Sequence, residues 1–439
     1  MSTPPSLSRP LSRRFLLVLG ARGVVGLGLG LALPSLALGT LSGCHANSSE
    51  GGGAGAAGDP GGEADGGSAA GSGASAAGAL AEDVLRLGPP DANGLRLLPG
   101  FRARVVARSG ERVGATDFVW HTDPDGGATF ATPDGGWVYV SNAETEVPGT
   151  GSVGVLRFDA KGGIVDAYRI LSGTNHNCAG GRTPWGTWLS CEEVPMGRVF
   201  ECDPLAPGSE GELRAALGLF QHEAIAVDPI TRRLYMTEDR SDGLLYRFTP
   251  DAWPSLASGT LEAAEVLDPE GDGPIRPGQV RMLAWHPVPD PLARERETRF
   301  QVEAATRFNG GEGIDHHEGR VYFSTKGDDR VWRLDVQHDR LEIVYDRASR
   351  PDGPLSGVDN VVVATNGVVY VAEDPGDQQL VALLPSGATI PILQVMDQPF
   401  SEITGPALSP DGSRLYFSSQ RPGTTYEIAG PFGSLGGTR

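Results

Sequence analysis

Seventeen residues, Asn177-Cys178-Ala179-Gly180-Gly181-Arg182-Thr183-Pro184-Trp185-Gly186-Thr187-Trp188-Leu189-Ser190-Cys191-Glu192-Glu193, set two cysteines and two adjacent carboxylates around a Gly/Pro turn. A thiolate suits iron or zinc, and carboxylate oxygens suit calcium or magnesium, so this composition points to metal chemistry. Further acids stand at or beside the ends of apolar alternating runs: His222-Glu223, Glu238-Asp239, Glu312, Asp359-Asn360, Glu373-Asp374 and Glu402. Any one of them beside Gly or Pro is an ordinary turn residue. As a set they recur in phase with a repeated unit, and a ring of such acids is costly unless cations are bound. His176, two residues before Cys178, reads as a group that supports a ligand. His222 either orients Glu223 or fills a turn, and His316-His317 read as exposed turn residues.

The elements that must position these groups are short strands. Gly 63 and Pro 34 with 7% aromatics argue for many turns. A turn, an alternating apolar run around an aromatic and a polar or acidic end recur with central aromatics Tyr139, Trp188, Tyr235, Tyr322, Tyr370 and Tyr416, at steps of 49, 47, 87, 48 and 46 residues. A period near 47 with alternating strands predicts an all-β, six-bladed β-propeller, the double step being one blade with an insertion at about 251–303. A seventh, degenerate blade within that stretch is the competing count. Ring closure requires an outer strand for the last blade. The run Leu95–Ala107 is expected to supply it, against Thr425–Ile428.

The formal net charge is −19, and the basic residues are almost all arginine, the only lysines being Lys161 and Lys326. A surplus of acid repels phosphate backbones and argues against nucleic-acid partners. It also serves solubility, so charge alone assigns no cation site. Arg13-Arg14 opens an apolar, Gly-rich run to about Leu38 and resembles a twin-arginine export signal; Leu41-Ser42-Gly43-Cys44 resembles a lipoprotein cleavage box. A transmembrane anchor competes with this reading, weakened by Arg22 and the glycines in a span that wants about 20 apolar residues. The expected organisation is a signal over 1–44, a Gly/Ala/Ser linker over 45–81 and a propeller over 82–439. Lipid on Cys44 would tie the body to the membrane of the bacterial envelope, in the periplasm or on the outer surface. Cys178, Cys191 and Cys202 then remain, and Cys191 and Cys202, at comparable places on consecutive strands, are the expected disulfide.

Asn177 to Gly181 and Thr183 to Glu193, with His222-Glu223-Ala224, Glu238-Asp239, Glu312-Gly313, Asp359-Asn360 and Ser401-Glu402-Ile403-Thr404-Gly405-Pro406, resemble the PhoX family of bacterial alkaline phosphatases, in a shorter branch, from about Leu95 to Gln420. The resemblance implies an axial centre of Fe(3+) and Ca(2+) on a six-bladed propeller. By position it implies Cys178 as an iron ligand and Glu193, Glu223, Glu312 and Glu402 as ligands of iron or calcium. Glu192, Glu238, Asp239, Asp359, Glu373 and Asp374 complete the candidate metal set. It also places an arginine two residues before the glutamate matching Glu312 and a lysine upstream of the cysteine, both holding phosphate. Here Gly310 takes the first place, and no lysine lies between Lys161 and Cys178. Arg307 and Arg182 are the candidate replacements, and Glu312 is a candidate catalytic group. The expected activity is hydrolysis of a small-molecule phosphoester by an envelope-anchored monomer. Two other readings stay open, a non-catalytic calcium-stabilised binding module and a lactonase-like hydrolase, because fold alone does not decide reaction.

Overall fold

Alternating apolar residues between Gly- and Asp-rich turns form strands, and in the computed structural model every regular element longer than three residues is a β-strand. The structure describes residues 86–435 apart from 375 and 399, all within the unit Gly71–Arg439. The stretches expected to form an export signal, a lipidation box with Cys44 and a linker lie outside the described residues.

The strands form antiparallel meanders. One sheet runs Pro124–Ala131, Trp137–Ala143, Gly151–Phe158, Ile164–Thr174, and a second runs Asn177–Arg182, Trp188–Glu192, Val199–Cys202, Glu212–Leu213. A third comprises Val358–Val363, Val369–Glu373, Gln379–Leu383 and Thr389–Val395, and a fourth Ile403–Leu408, Arg414–Ser419 and Thr424–Ala429. A nine-stranded sheet joins two further meanders, one starting at His222–Asp228 and one at Gly311–His317, through Val280–Pro287. That strand pairs with Ser255–Val266 on one side and Arg340–Asp346 on the other, so the stretch 251–303 forms an extended hairpin and the bridge between two meanders. The first strand of each meander packs on the next, and Ile403–Leu408 returns to Pro124–Ala131. The arrangement is all-β and propeller-like.

The recurring aromatics all fall on the second strand of a meander and are buried, from Tyr139 at 0% exposed to Tyr322 at 8%. Each buried aromatic removes roughly 150–250 Å² from water, which makes the face between neighbouring sheets, such as the Tyr139–Tyr416 stack at 5.2 Å, the core of the fold. Closure differs from the single strand expected over 95–107. The run breaks at Pro99-Gly100, where Gly100 has φ 92°. Leu95–Leu97 pairs with Thr389–Val395 and Arg102–Arg108 with Thr424–Ala429, so the N-terminal segment completes two sheets. Arg104 fixes the second pairing through Glu427, with Nε to Oε1 at 3.0 Å and Nη2 to Oε2 at 2.6 Å.

The expected Cys191–Cys202 disulfide is not formed, and both thiols are free and buried. The register pairs Cys191 with Val199 and Cys202 with Trp188. The two positions are separated by an odd number of residues across the ladder, so the side chains leave opposite faces of the sheet. Cys191 packs with Phe220 and Ile225, and Cys202 with Val138 and Ile170.

Candidate metal centre

The innermost strands share one irregularity. Five of the six lose register with their partners near their starts: between Pro124 and Gly127, Asn177 and Gly180, His222 and Ile225, Gly311 and Ile314, and Val358 and Val361. The first residue of each bulge is Asp125, Cys178, Glu223, Glu312 or Asp359. A bulge re-aims a side chain at the cost of one ladder position, and here it gathers one ligand-type residue from each strand. Glu402 stands one residue before Ile403–Leu408 and joins them. Small residues come next and let the strands close in. A Cβ at Gly126 would lie 2.4 Å from Ala179 Cα, and one at Gly313 would lie 2.6 Å from Asn360 Cα. Beneath the acids the axis narrows to a cavity of about 40 Å³.

A second tier comes from the residues that follow the second strands: Glu144, Glu193, Asp239, Lys326, Asp374 and Gln420. The two tiers interlock. Ligand-type atoms lie within 4.8 Å of one another in the groups Asp125–Glu144–Cys178, Glu144–His176–Glu193, Cys178–Glu193–Glu223, Glu223–Glu312–Asp359 and Asp359–Asp374–Glu402. Gln420 Nε2 donates to Asp125 Oδ2 at 2.7 Å and to Glu144 Oε2 at 2.5 Å. His176 Nδ1 lies 3.0 Å from Glu144 Oε1.

Four of the ligand strands are gripped by a neighbouring meander. Asn142 Nδ2 donates to the carbonyls of Cys178 and Ala179 at 2.9 and 2.7 Å, while its Oδ1 accepts from Trp188 Nε1 at 2.9 Å and Ser190 Oγ at 3.0 Å. Thr237 Oγ1 donates to the Glu312 carbonyl at 2.5 Å, Ser324 Oγ to that of Asp359, and Thr404 Oγ1 to that of Pro124 at 2.7 Å. These bonds fix the backbone from which the ligand-type side chains project.

The electrostatics call for cations. Both carboxylate oxygens of Glu223 are buried and have no hydrogen-bond partner among the described residues, a state that an ionised carboxylate does not tolerate unless it is neutralised or coordinated. Burial first, then Glu312 and Glu193, raises its carboxyl well above the usual range. Burial and Asp125 push Glu402 up to about 11; burial and Glu193 push Asp239 to about 7. Asp359 rises to about 6, burial outweighing the nearby Lys326. Cys178 is raised by burial and then by Asp125 and Glu223. A thiol and an imidazole amid many carboxylates fit a mixed centre, with a transition metal on the sulfur and harder ions on the oxygens.

The candidate residues named from sequence divide clearly. Cys178, Glu193, Glu223, Glu312, Asp359, Asp374 and Glu402 are brought together, and Asp239 lies near enough to Glu193 for that charge to help burial raise its carboxyl. Glu192, Glu238 and Glu373 stand one residue earlier and serve the sheets. Glu192 is held by Arg198 at 2.6 Å, Glu238 accepts from Tyr246 Oη at 2.9 Å, and Glu373 accepts from the Ser356 amide at 2.8 Å. Arg182 closes the strand Asn177–Arg182, four residues from Cys178 and so about 13 Å along it; it is exposed at the other end of the axis, beside Trp185 and Asp315. Arg307 is exposed and donates to the Arg299 and Asp242 carbonyls. His222 opens the strand His222–Asp228 with its ring buried, Nε2 lying 3.0 Å from the Gly218 carbonyl oxygen. His316, expected to be exposed, has a side chain only 12% exposed, with Nε2 3.0 Å from Asp228 Oδ1. Asp125, Glu144, Gln420 and Lys326 were not identified from the sequence. Lys326 Nζ lies 2.9 Å from Asp374 Oδ2, 3.1 Å from Glu312 Oε1 and 3.6 Å from Asp359 Oδ2.

Fold and site together define a class: an all-β, propeller-like protein with a carboxylate–thiol centre built where its innermost strands begin. A family model described as alkaline phosphatase PhoX matches residues 141–342, the stretch that holds Cys178, Glu193, Glu223, Asp239, Glu312 and Lys326, so the resemblance read from the motifs is shown. PhoX of Pseudomonas fluorescens, solved in complex with vanadate, a transition state analogue, is similar with TM-score 0.64 and 17% identity, over 78% of this chain and 97% of that one. A structural genomics protein of unknown function from Bacteroides thetaiotaomicron is similar with TM-score 0.46 and 10% identity, over 75% of this chain and 76% of that one. No curated protein matches.

Proposed function

We propose that the protein is a metal-dependent phosphoester hydrolase of the alkaline phosphatase type, with iron and calcium on a six-bladed propeller held in the bacterial envelope by lipid on Cys44. The observation that carries the reading is the Cys178–Glu193–Glu223 group, within 4.8 Å, in which Glu223 has both oxygens buried and unpartnered among the described residues. The PhoX family match over 141–342 supports the activity. Six blades are supported by the six aromatics in phase and by the cycle of innermost strands. The envelope location rests on the Arg13-Arg14 and Leu41-Ser42-Gly43-Cys44 motifs.

Cys178 with Glu193 and Glu223 would hold the softer ion, iron, and Asp125, Glu144 and Glu402 offer oxygens to calcium. When bound, the ions would polarise a phosphoryl oxygen and offset the charge of the acids. The chain's own part is positioning. The narrow axis under Gly126 and Gly313 blocks approach from below, so an ester meets the centre from the loops that follow the second strands. Among those loops Arg240, one residue beyond Asp239, is half-buried, and its Nε is buried with no hydrogen-bond partner among the described residues. A guanidinium can take two phosphate oxygens at once, and Arg240 is the candidate for that role in place of Arg182 and Arg307. The test is release of phosphate from a chromogenic aryl monoester at alkaline pH by natively exported protein. Turnover that is absent on monoesters and diesters alike, with metal present, overturns the reading.

A further inference from the structure

Lys326 is the one cation of the second tier. The corresponding places carry Glu144, Glu193, Asp239, Asp374 and Gln420. Its side chain is 32% exposed, and its ammonium faces Asp374, Glu312 and Asp359 at 2.9, 3.1 and 3.6 Å. The ammonium donates to Asp374 Oδ2 and stands within ion-pair distance of Glu312 and Asp359; the three carboxylates come from three different strands or strand ends, a setting in which a divalent ion would sit. The backbone sets the position rigidly: Thr325 ends its strand paired to Arg330, the Lys326 amide donates to the Gly310 carbonyl at 2.8 Å, and the Gly327 amide donates to that of Asn309 at 2.9 Å. The Asn309 side-chain amide lies over Gly327, 2.3 Å from where a Cβ would stand. The lysine is therefore anchored over the acids rather than swinging from a loose loop.

We propose that Lys326 is a built-in cation that occupies the place Glu312, Asp359 and Asp374 would otherwise give a divalent ion. The centre then needs one metal ion fewer, and metal binding falls to the side holding Asp125, Glu144, Cys178, Glu193 and Glu223. An ammonium whose charge is spent on three carboxylates is a poor holder of substrate phosphate, which leaves that task to another group. The inference rests on the metal-centre reading, and its test separates the two.

The experiment is a count of calcium per chain in the purified holoprotein, by elemental analysis and by calorimetric titration with calcium chloride, for wild type, Lys326→Met, Lys326→Asn and Lys326→Arg. Lys326→Met and Lys326→Asn are expected to bind one calcium more than wild type, and Lys326→Arg the same number. Asparagine brings an oxygen of its own and is the variant to use where methionine does not fold. An unchanged count in both neutral variants, with inhibition by inorganic phosphate weakened tenfold or more, overturns the proposal and makes Lys326 a phosphate anchor. Wild type that binds metal while no variant gains an ion sinks this inference alone. Wild type and variants all without metal sink the metal centre as well.

Discussion

Glu192 and Glu193 are adjacent in the chain and belong to different parts of the molecule. Glu192 lies 1% exposed between Arg198 Nε, at 2.6 Å from its Oε2, and the Asn175 amide, at 2.9 Å from its Oε1. Glu193 turns the other way, accepts from Gln221 Nε2 at 2.8 Å, and meets Cys178 and Glu223. Period-two alternation at a strand end separates a structural acid from a ligand-type acid. Substituting them one at a time should separate stability from metal content. Glu192→Gln is expected to lower stability by about 2 kcal/mol through lost charge-assisted hydrogen bonds while keeping the metal content of the folded protein. Glu193→Gln should lose metal with little change in the melting of the chelated protein. Melting curves and elemental analysis on the same preparations decide it.

Among the described residues Cys178 is the sole thiol at the centre, since Cys191 and Cys202 are buried within the sheet on opposite faces. Cys178→Ala should remove iron and any thiolate-to-metal absorption band, and leave most of the calcium. Cys191→Ala should leave both metals in place. An unchanged absorption spectrum in Cys178→Ala refutes sulfur ligation.

Without cations the centre should make stability fall as pH rises. Asp359, Asp239 and Glu402 have folded-state pKa values raised to about 6, 7 and 11, above their values near 4 in the unfolded chain. Between pH 4 and those values the native state holds more protons than the unfolded one, so stability declines with increasing pH. The chelated protein should melt higher at pH 5 than at pH 8. Excess calcium should reverse the order, because metal binding displaces protons.

Arg240→Ala should weaken inhibition by inorganic phosphate and reduce kcat/KM on an aryl phosphate by about 10²-fold, the size of a lost bidentate charged contact. Metal content should not change. The same loss in Arg182→Ala would place the phosphate at the opposite end of the axis.

The segment Arg102–Arg108 closes a sheet that otherwise ends at Thr424–Ala429. Removing residues 86–108 should expose two strand edges and lower soluble yield through edge pairing. Arg104→Ala alone, leaving the buried Glu427 paired only with Arg414 and Tyr416, should lower the melting temperature by a few degrees without aggregation.

Much of this organisation was legible because the aromatic marks the second strand of every meander. The second tier follows from the same marker: four or five residues beyond Tyr139, Trp188, Tyr235, Tyr322, Tyr370 and Tyr416 stand Glu144, Glu193, Asp239, Lys326, Asp374 and Gln420. Counting by phase rather than by residue type would have found Glu144, Gln420 and Lys326. Asp125 was hidden because Asp123-Pro124-Asp125-Gly126 reads as a turn, and only the bulge shows that it is a strand start. Glu238 and Glu373 were named with their neighbours because a pair of acids does not reveal which one faces the axis. The disulfide failed on strand parity, which depends on the register of Cys191 and Cys202 across the ladder and is invisible in their spacing.

In the proposed function the acids and thiol at the start of the innermost strands hold metal ions that drive phosphoester hydrolysis. The most direct measurement is phosphate release from an aryl monoester by natively exported protein, before chelation, after it, and after return of iron and calcium. The account predicts turnover that is lost on chelation and restored only when both metals are supplied. Turnover indifferent to chelation, or fully metallated protein with no turnover, would contradict it.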